Sequence, residues 1–230
     1  MKFTKILVAN RGEIAARIMR TCRRMGIQTV AVYSTADRKS PHVILADQAI
    51  CIGPPPSRQS YLDMDRIIQA AKDSGADAIH PGYGFLSEND LFAKAVREAG
   101  ITFIGPSPES IHMMGNKLAA KKAAKDFNIP MVPGTDSAIA DIKEAISIAS
   151  TIGYPLLIKA AAGGGGKGMR IVHHADELES QVERAMSEAL ASFGDGSVFI
   201  EKYVTSPRHI EIQVMADTHD HILYFFEREC

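Results

Sequence analysis

The chain is poor in cysteine, short of long apolar runs and without an excess of charge of either sign. Its three cysteines, Cys22, Cys51 and Cys230, are too far apart for a metal knuckle, and an odd number closes no disulfide framework. A reducing, cytoplasmic setting is the simplest expectation, with the mitochondrial matrix left open for a processed form. No stretch approaches the ~20 apolar residues of a membrane span. The apolar run near the N-terminus is too short for a signal peptide. Lys and Arg total 26 and Asp and Glu 27, a formal net charge of −1. That balance argues against a general nucleic-acid or membrane-surface binder. The loop Ala9-Asn10-Arg11-Gly12-Glu13 lacks the G-x-G-x-x-G of dinucleotide binding. No local Ser/His/Asp or Cys/His arrangement signals a nucleophile, and His173-His174 with Asp176 suits a surface turn better than a metal site.

What is present is alternation. Of 230 residues, 46% are hydrophobic and 23% charged, ordinary values for a chain that buries its own core. Short apolar runs at 6–9, 29–33, 49–52, 76–80 and 101–104 alternate with helical patterns. One such pattern sets Ile14, Ile18 and Met25 on one face and Arg17, Arg20 and Arg24 on another. The others cover 61–72 and 88–98. Strands apolar throughout, separated by amphipathic helices, predict a parallel sheet covered on both faces, a Rossmann-like α/β unit.

After the apolar run at 101–104 the pattern changes. A helical stretch over 108–125 and the break Pro130-Met131-Val132-Pro133-Gly134 read as a connector. A smaller α/β piece follows: helices over 141–150 and 177–191, and strands over 155–159, 169–172 and 198–203. Two strands, about 209–216 and 221–227, flank Thr218-His219-Asp220 as an antiparallel hairpin. A hairpin alone cannot bury an apolar face, so a longer polypeptide is expected.

Five segments carry candidate chemistry. In the first, Gly163 to Gly166 lie between two strands and are framed by Lys159 and Lys167. Consecutive glycines permit backbone forms closed to other residues and expose N–H groups that cradle phosphate. A Walker A loop is excluded, because Gly168 and not Ser or Thr follows Lys167. The favoured reading is a mobile phosphate-binding lid; the plain alternative is a flexible hairpin. The second is Glu201-Lys202-Tyr203-Val204, where a strand leaves for a linker. Glu201 or a nearby carbonyl would accept from an adenine amino group, and the Val204 amide would donate. By itself this Glu-Lys pair reads as a solvated face.

The third, Arg208 to Val214, alternates His209, Glu211 and Gln213 against Ile210, Ile212 and Val214. It is either a half-exposed strand or a polar cleft wall with His209 in reach of a phosphate or ribose. The fourth, His80-Pro81-Gly82-Tyr83-Gly84-Phe85-Leu86-Ser87-Glu88-Asn89, joins strand to helix at the edge where open α/β sheets bind ligands. Ser87 with Asp90 would cap the helix, but capping leaves Tyr83 between two glycines unexplained. The fifth is a stripe of Lys117, Lys121 and Lys125. Lys121 and Lys125 read as solvated, and Lys117, in the first turn, as a phosphate contact.

Together these segments resemble the biotin carboxylase family of ATP-grasp ligases, over essentially the whole chain. The matching residues are 9–15, 80–89, Met114-Gly115-Asn116-Lys117, 159–170, Glu201-Lys202-Tyr203 and 208–213. The resemblance implies a Rossmann-like pre-ATP-grasp domain (1–113), a helical linker (114–134), a small α+β lid domain (135–203) and the start of an incomplete C-terminal ATP-grasp domain (204–230). It implies ATP- and bicarbonate-dependent carboxylation of biotin, with Mg²⁺. Lys117, Lys159, Gly164, Gly165 and Gly166 would meet the phosphates. Glu201, Lys202 and Val204 would read adenine, and His209 would contact the nucleotide. Tyr83 and Gly84 would lie near biotin. The Mg²⁺ ligands, bicarbonate-binding residues and catalytic base would fall beyond Cys230, so this chain alone would be silent. Implied partners are a biotin carboxyl carrier and a carboxyltransferase, with a homodimer at full length. The same resemblance points to fatty acid biosynthesis, while the acyl acceptor stays open among acetyl-CoA, propionyl-CoA and pyruvate. The alternatives are a carbamoyl-phosphate-synthetase-like ligase of the same class and a non-catalytic nucleotide-binding module.

Overall fold

The computed structural model describes residues 3–115, 117–135, 137–139, 141–161 and 169–229. The chain divides into two units, Met1–Ala120 and Lys121–Cys230.

In the first unit, β1 (Lys5–Val8), α1 (Gly12–Arg24), β2 (Gln28–Ser34), α2 (Pro41–Leu45), β3 (Gln48–Gly53), α3 (Met64–Ser74), β4 (Ala78–His80), α4 (Asp90–Glu98), β5 (Thr102–Phe103) and α5 (Pro108–Gly115) follow one another. The five strands form one parallel sheet in the order β3-β2-β1-β4-β5. Side chains alternate across it. Leu7, Val30, Val32 and Ile79 join a core with Ile67, Phe92 and Val96 of α3 and α4. Ile6, Val8, Ala31 and Ala78 join another with Ala15, Ile18, Met19 and Cys22 of α1. Both faces of the central strands are buried, which is why Ile6–Val8, Val30–Val32 and Ala78–Ile79 are apolar without alternation.

Two local expectations are corrected. Met25 is 60% exposed, because the chain leaves α1 there in a turn; the buried stripe is Ala15, Ala16, Ile18, Met19 and Cys22. The cap of α4 is Asn89, whose Oδ1 accepts from the Phe92 amide at 2.8 Å, and not Ser87 with Asp90.

In the second unit, α6 (Lys117–Asp126) crosses the division, and α7 (Ile142–Ile152), β6 (Leu156–Ala160), β7 (Arg170–Val172), α8 (Leu178–Phe193), β8 (Val198–Lys202), β9 (Ile210–Ala216) and β10 (Ile222–Glu229) follow. The stretch 108–125, read as helical, is helical over its described residues, Pro108–Gly115 (α5) and Lys117–Asp126 (α6), and residue 116 lies outside them. An antiparallel sheet in the order β7-β6-β8 turns Leu156, Ile158, Val172, Val198 and Ile200 toward Ala145, Val182 and Ala185 of α7 and α8. The Asp141 carboxylate accepts from the Glu144 amide at 2.9 Å and starts α7, and Gly194 at φ 74° ends α8.

The chain before α7 is also tied to β8. The Lys202 amide donates to the Pro133 carbonyl at 2.8 Å, and the Thr135 amide to the Ile200 carbonyl at 2.9 Å. β9 and β10 form a separate antiparallel pair with a register shift between Tyr224 and Glu227. Asp217 holds its turn, accepting from the His219 and His221 amides at 2.7 and 3.1 Å. Among the described residues no helix is long and apolar enough to cross a membrane.

Candidate functional site

Two centres of polar density emerge, one in each unit. In the second unit, strand alternation decides the matter. Leu156, Ile158 and Ala160 of β6 face the helices, so Lys159 points to the opposite side. On β8 the same rule turns Phe199 and Glu201 to that side, with Phe199 directly opposite Lys159 in the ladder. Glu201 is nevertheless only 8% exposed. Gly134 lies against it: a side chain there would come within 2.7 Å of the Ile200 carbonyl oxygen and 2.9 Å of Glu201 Cγ.

The buried carboxylate is held at both oxygens. Lys159 Nζ meets Oε2 at 2.5 Å, and Lys121 of α6 forms an ion pair with Oε1. Lys121 Nζ also stands 4.8 Å from the centre of the Phe199 ring, a cation–π distance. Burial by itself would raise the Glu201 pKa. The hydrogen bonds and positive charges of Lys121 and Lys159 outweigh it and hold the carboxylate below its ordinary value. One negative and two positive charges leave a surplus of one positive charge on this face. Such a surplus, beside the strand that leads into the glycine run, suits a phosphate.

Lys121 is therefore not a solvated residue of a lysine stripe, as its sequence context suggests; its side chain is 20% exposed and engaged in this pair. Its four-residue spacing from Lys117 was the available signal. Lys117 opens α6, but its side chain lies outside the described residues, as do Gly164, Gly165, Gly166 and Lys167. Lys202 turns away from Glu201 and donates to the Gly153 and Tyr154 carbonyls at 3.0 and 2.7 Å. The Tyr203 amide reaches the Pro155 carbonyl at 3.1 Å, which fixes where β8 ends, and Val204 beyond it is exposed. His209 sits just before β9, exposed, with Nε2 3.6 Å from Glu211 Oε1. The arrangement thus brings Lys159 and Glu201 together and adds Lys121.

In the first unit the strand order reverses between β1 and β4, the place where open sheets take their ligands. Asn10, 3% exposed, ties the two loops there. Its side-chain amide donates to the Pro81 and Tyr83 carbonyls, both at 2.8 Å. A side chain at Gly82, where φ is +67°, would come within 2.7 Å of Asn10 Nδ2, so the glycine is required on two counts. Gly84 also has φ +67°. Between them Tyr83 is held out into solvent at 64% exposure, its hydroxyl 3.4 Å from Glu13 Oε2.

Beside this crevice stands a network that residue spacing does not reveal. Asp37 accepts from the Tyr61 hydroxyl at 2.6 Å and the Ser34 hydroxyl at 2.9 Å, and pairs with Arg11 at 3.4 Å. Burial would raise the Asp37 pKa, but these hydrogen bonds and the Arg11 charge bring it below its usual value. Burial, with the Asp37 bond and charge, pushes the Tyr61 hydroxyl up to about 12, so it stays a donor at neutral pH. The Arg11 guanidinium lies 5.5 and 5.8 Å from the Tyr61 and Phe85 rings, which stack on each other at 5.1 Å. Among the described residues, no group of His, Cys, Asp and Glu side chains is placed to hold a metal ion.

Comparison with known proteins agrees with both halves of this picture. Residues 2–111 match the model of the biotin carboxylase N-terminal domain. Residues 116–230 match that of the carbamoyl-phosphate synthase L chain ATP-binding domain. Over 227 residues the chain is 55% identical to a biotin carboxylase of Haemophilus influenzae, covering 98% of this chain and 51% of the relative. It is 53% identical over 228 residues to the propionyl-CoA carboxylase alpha chain of Ruegeria pomeroyi, covering 99% of this chain and 34% of that one. A solved structure of the biotin carboxylase domain dimer of Hydrogenobacter thermophilus 2-oxoglutarate carboxylase, in complex with MgADP, ADP and bicarbonate, superposes with a TM-score of 0.90 at 48% identity. That match covers 100% of this chain and 51% of the other. The chain thus spans about half the length of two of these relatives and about a third of the other. With an N-terminal unit of one type, an ATP-binding unit of the other, and this degree of identity throughout, the chain belongs to the biotin carboxylase family.

Proposed function

We propose that this chain supplies the nucleotide-binding side of an ATP-dependent biotin carboxylase. In that reaction ATP and bicarbonate give carboxyphosphate and ADP, and the carboxyl group then passes to a ureido nitrogen of biotin. The observation that carries the reading is the pair of lysines on the buried Glu201 carboxylate, beside the strand that enters the glycine run. Phosphoryl transfer depends on positive groups aimed at the phosphate oxygens. In this reading Lys159 supplies one such group and Lys117 another, while Gly164, Gly165 and Gly166 close over the phosphates with their amides. Glu201, the Lys202 carbonyl and the Val204 amide read adenine, and His209 touches the nucleotide. Tyr83 and Gly84, at the switch point of the first unit, stand near the biotin ring. Mg²⁺ accompanies the nucleotide, and we assign it to no residue of this chain.

Partners in this reading are a biotin carboxyl carrier, a carboxyltransferase and a second copy of the full-length protein, in the cytoplasm. Acetyl-CoA carboxylation for fatty acid synthesis is the proposed pathway; the propionyl-CoA relative makes the acyl acceptor the finer question.

The full-length protein is expected to hydrolyse ATP in the presence of bicarbonate and to be stimulated by free biotin. An enzyme indifferent to both defeats the reading. One that needs bicarbonate but ignores biotin favours the carbamoyl-phosphate-synthetase-like alternative. In the same assay Lys159→Ala is expected to raise KM for ATP through loss of a charge-assisted contact, worth ~1.5–3 kcal/mol. An unchanged KM removes Lys159 from its role.

A further inference from the structure

The proposed function leaves Lys121 without a task, although it is the more buried of the two lysines on Glu201, at 20% side-chain exposure against 28% for Lys159. We propose that Lys121 is a positioning residue: it is the counter-ion that stays on Glu201 when Lys159 turns to the phosphates of the nucleotide. This rests on the reading that Lys159 meets those phosphates.

Glu201 is 8% exposed, and a buried carboxylate stripped of its partner is strongly unfavourable. If Lys159 were its sole cation, every move of Lys159 toward a phosphate would strand that charge. The nucleotide would then bind against the full cost of doing so. With two lysines on one carboxylate, one can leave and the pair that remains is still neutral.

The geometry says which one leaves. Lys121 is held by a second partner, the Phe199 ring at 4.8 Å, and reaches the carboxylate from α6. Lys159 lies at the last-but-one position of β6, at the mouth of the glycine run, and is the more exposed. Lys121 therefore tunes affinity for phosphate without touching it, and its effect scales with phosphate and not with adenine.

The test compares the chain with Lys121→Met, Lys121→Arg and Lys121→Met combined with Glu201→Gln. Binding of ATP and of adenosine is measured by calorimetry. The rate at which dilute acetic anhydride acetylates Lys159 is measured by peptide mass spectrometry, with exposed Lys94 as internal reference. Acetylation needs a free amine, which a carboxylate-bound ammonium does not offer. In Lys121→Met, Kd for ATP is expected to rise about tenfold while that for adenosine stays within about twofold. Acetylation of Lys159 is expected to slow several-fold relative to Lys94, because Glu201 has only Lys159 left. Lys121→Arg keeps both values near those of the unaltered chain. In the double variant acetylation of Lys159 returns to at least its rate in the unaltered chain, because a neutral Gln does not hold Lys159.

If Lys121 served only to cover β8, its loss would speed acetylation of Lys159 or weaken both ligands alike; either result overturns the proposal, as does unchanged ATP binding. Should Lys121→Met fail to fold, Lys121→Gln is read in the same way. A chain that binds ATP no better than adenosine defeats the nucleotide reading itself, and the acetylation rates still decide whether the two lysines compete for Glu201.

Discussion

Asn10 shows how much one side chain does. Its amide supplies the hydrogen bonds for two loop carbonyls in a place where it is almost fully buried. Asn10→Ala leaves the Pro81 and Tyr83 carbonyls without that donor, and a loss of ~2 kcal/mol in unfolding free energy is expected from chemical denaturation. His42 makes the matching case for charge. It is fully buried, with Nδ1 3.4 Å from the Gly12 amide and Nε2 3.4 Å from the Val32 carbonyl. Burial lowers its pKa below 6.5, against the opposing pull of the Val32 carbonyl and the Asp37 charge, and with help from Arg11. His80 is lowered by burial as well. Between the folded and unfolded pKa values the unfolded chain binds the extra proton, so stability falls as pH drops. The contribution is complete above about pH 6.5 and is lost as pH falls through the folded-state value. Thermal melts between pH 7.5 and 5 should show the midpoint dropping on the acid side, and His42→Gln should lessen that slope without abolishing it, because His80 remains. A slope unchanged in His42→Gln would remove His42 from this role.

At the scale of elements, the sheet of the second unit carries two faces with different tasks. The face toward α7 and α8 is a plain apolar core; the other holds Phe199, Glu201 and Lys159. Gly134 lets the chain before α7 approach β8 closely enough to bury that second face. A methyl group at Gly134 meets the Ile200 carbonyl oxygen at 2.7 Å, a backbone atom that cannot step aside. Gly134→Ala is therefore expected to destabilise the second unit by ~1–3 kcal/mol, with Leu190→Ala on the exposed side of α8 as a near-neutral control. Chemical denaturation followed by circular dichroism measures both.

The strands themselves are legible from apolar runs, and α7 and α8 from the helical patterns over 141–150 and 177–191. The break at 130–134 reads as mere connector, because pairing between residues some 65 positions apart leaves no local trace. Lys121 and the Glu201-Lys202 pair misread for a related reason. A charged residue in a helix or strand is solvated by default, and only a partner from elsewhere in the chain reverses that.

Among the described residues, two well-buried cores lie in the first unit and one in the second, and the hairpin of β9 and β10 contributes to none of them. Ile210, Ile212, Val214, Ile222, Tyr224 and Phe226 of β9 and β10 are each 44% exposed or more. An open, apolar, two-stranded edge is a template for association. Light scattering of this chain is expected to show association that rises with concentration. Val214→Lys with Tyr224→Glu, an opposite-charge pair at facing positions of the ladder, is expected to reduce it. A monodisperse unaltered chain at high concentration would contradict this.

The amino-acid sequence by itself determined the alternation of strand and helix, the parallel sheet buried on both faces, the glycine run between two strands and the family resemblance. All of these are written in neighbouring residues, through side-chain periodicity and the backbone freedom of glycine. Tertiary structure alone decided that Glu201 is buried rather than solvated, that Lys121 shares it with Lys159, and that Asn10 and Gly82 lock two loops of the first unit together. It also brought Asp37, Tyr61 and Arg11 into one network. The reason is that the state of a charge depends on what surrounds it in space, and residues distant along the chain supply those surroundings.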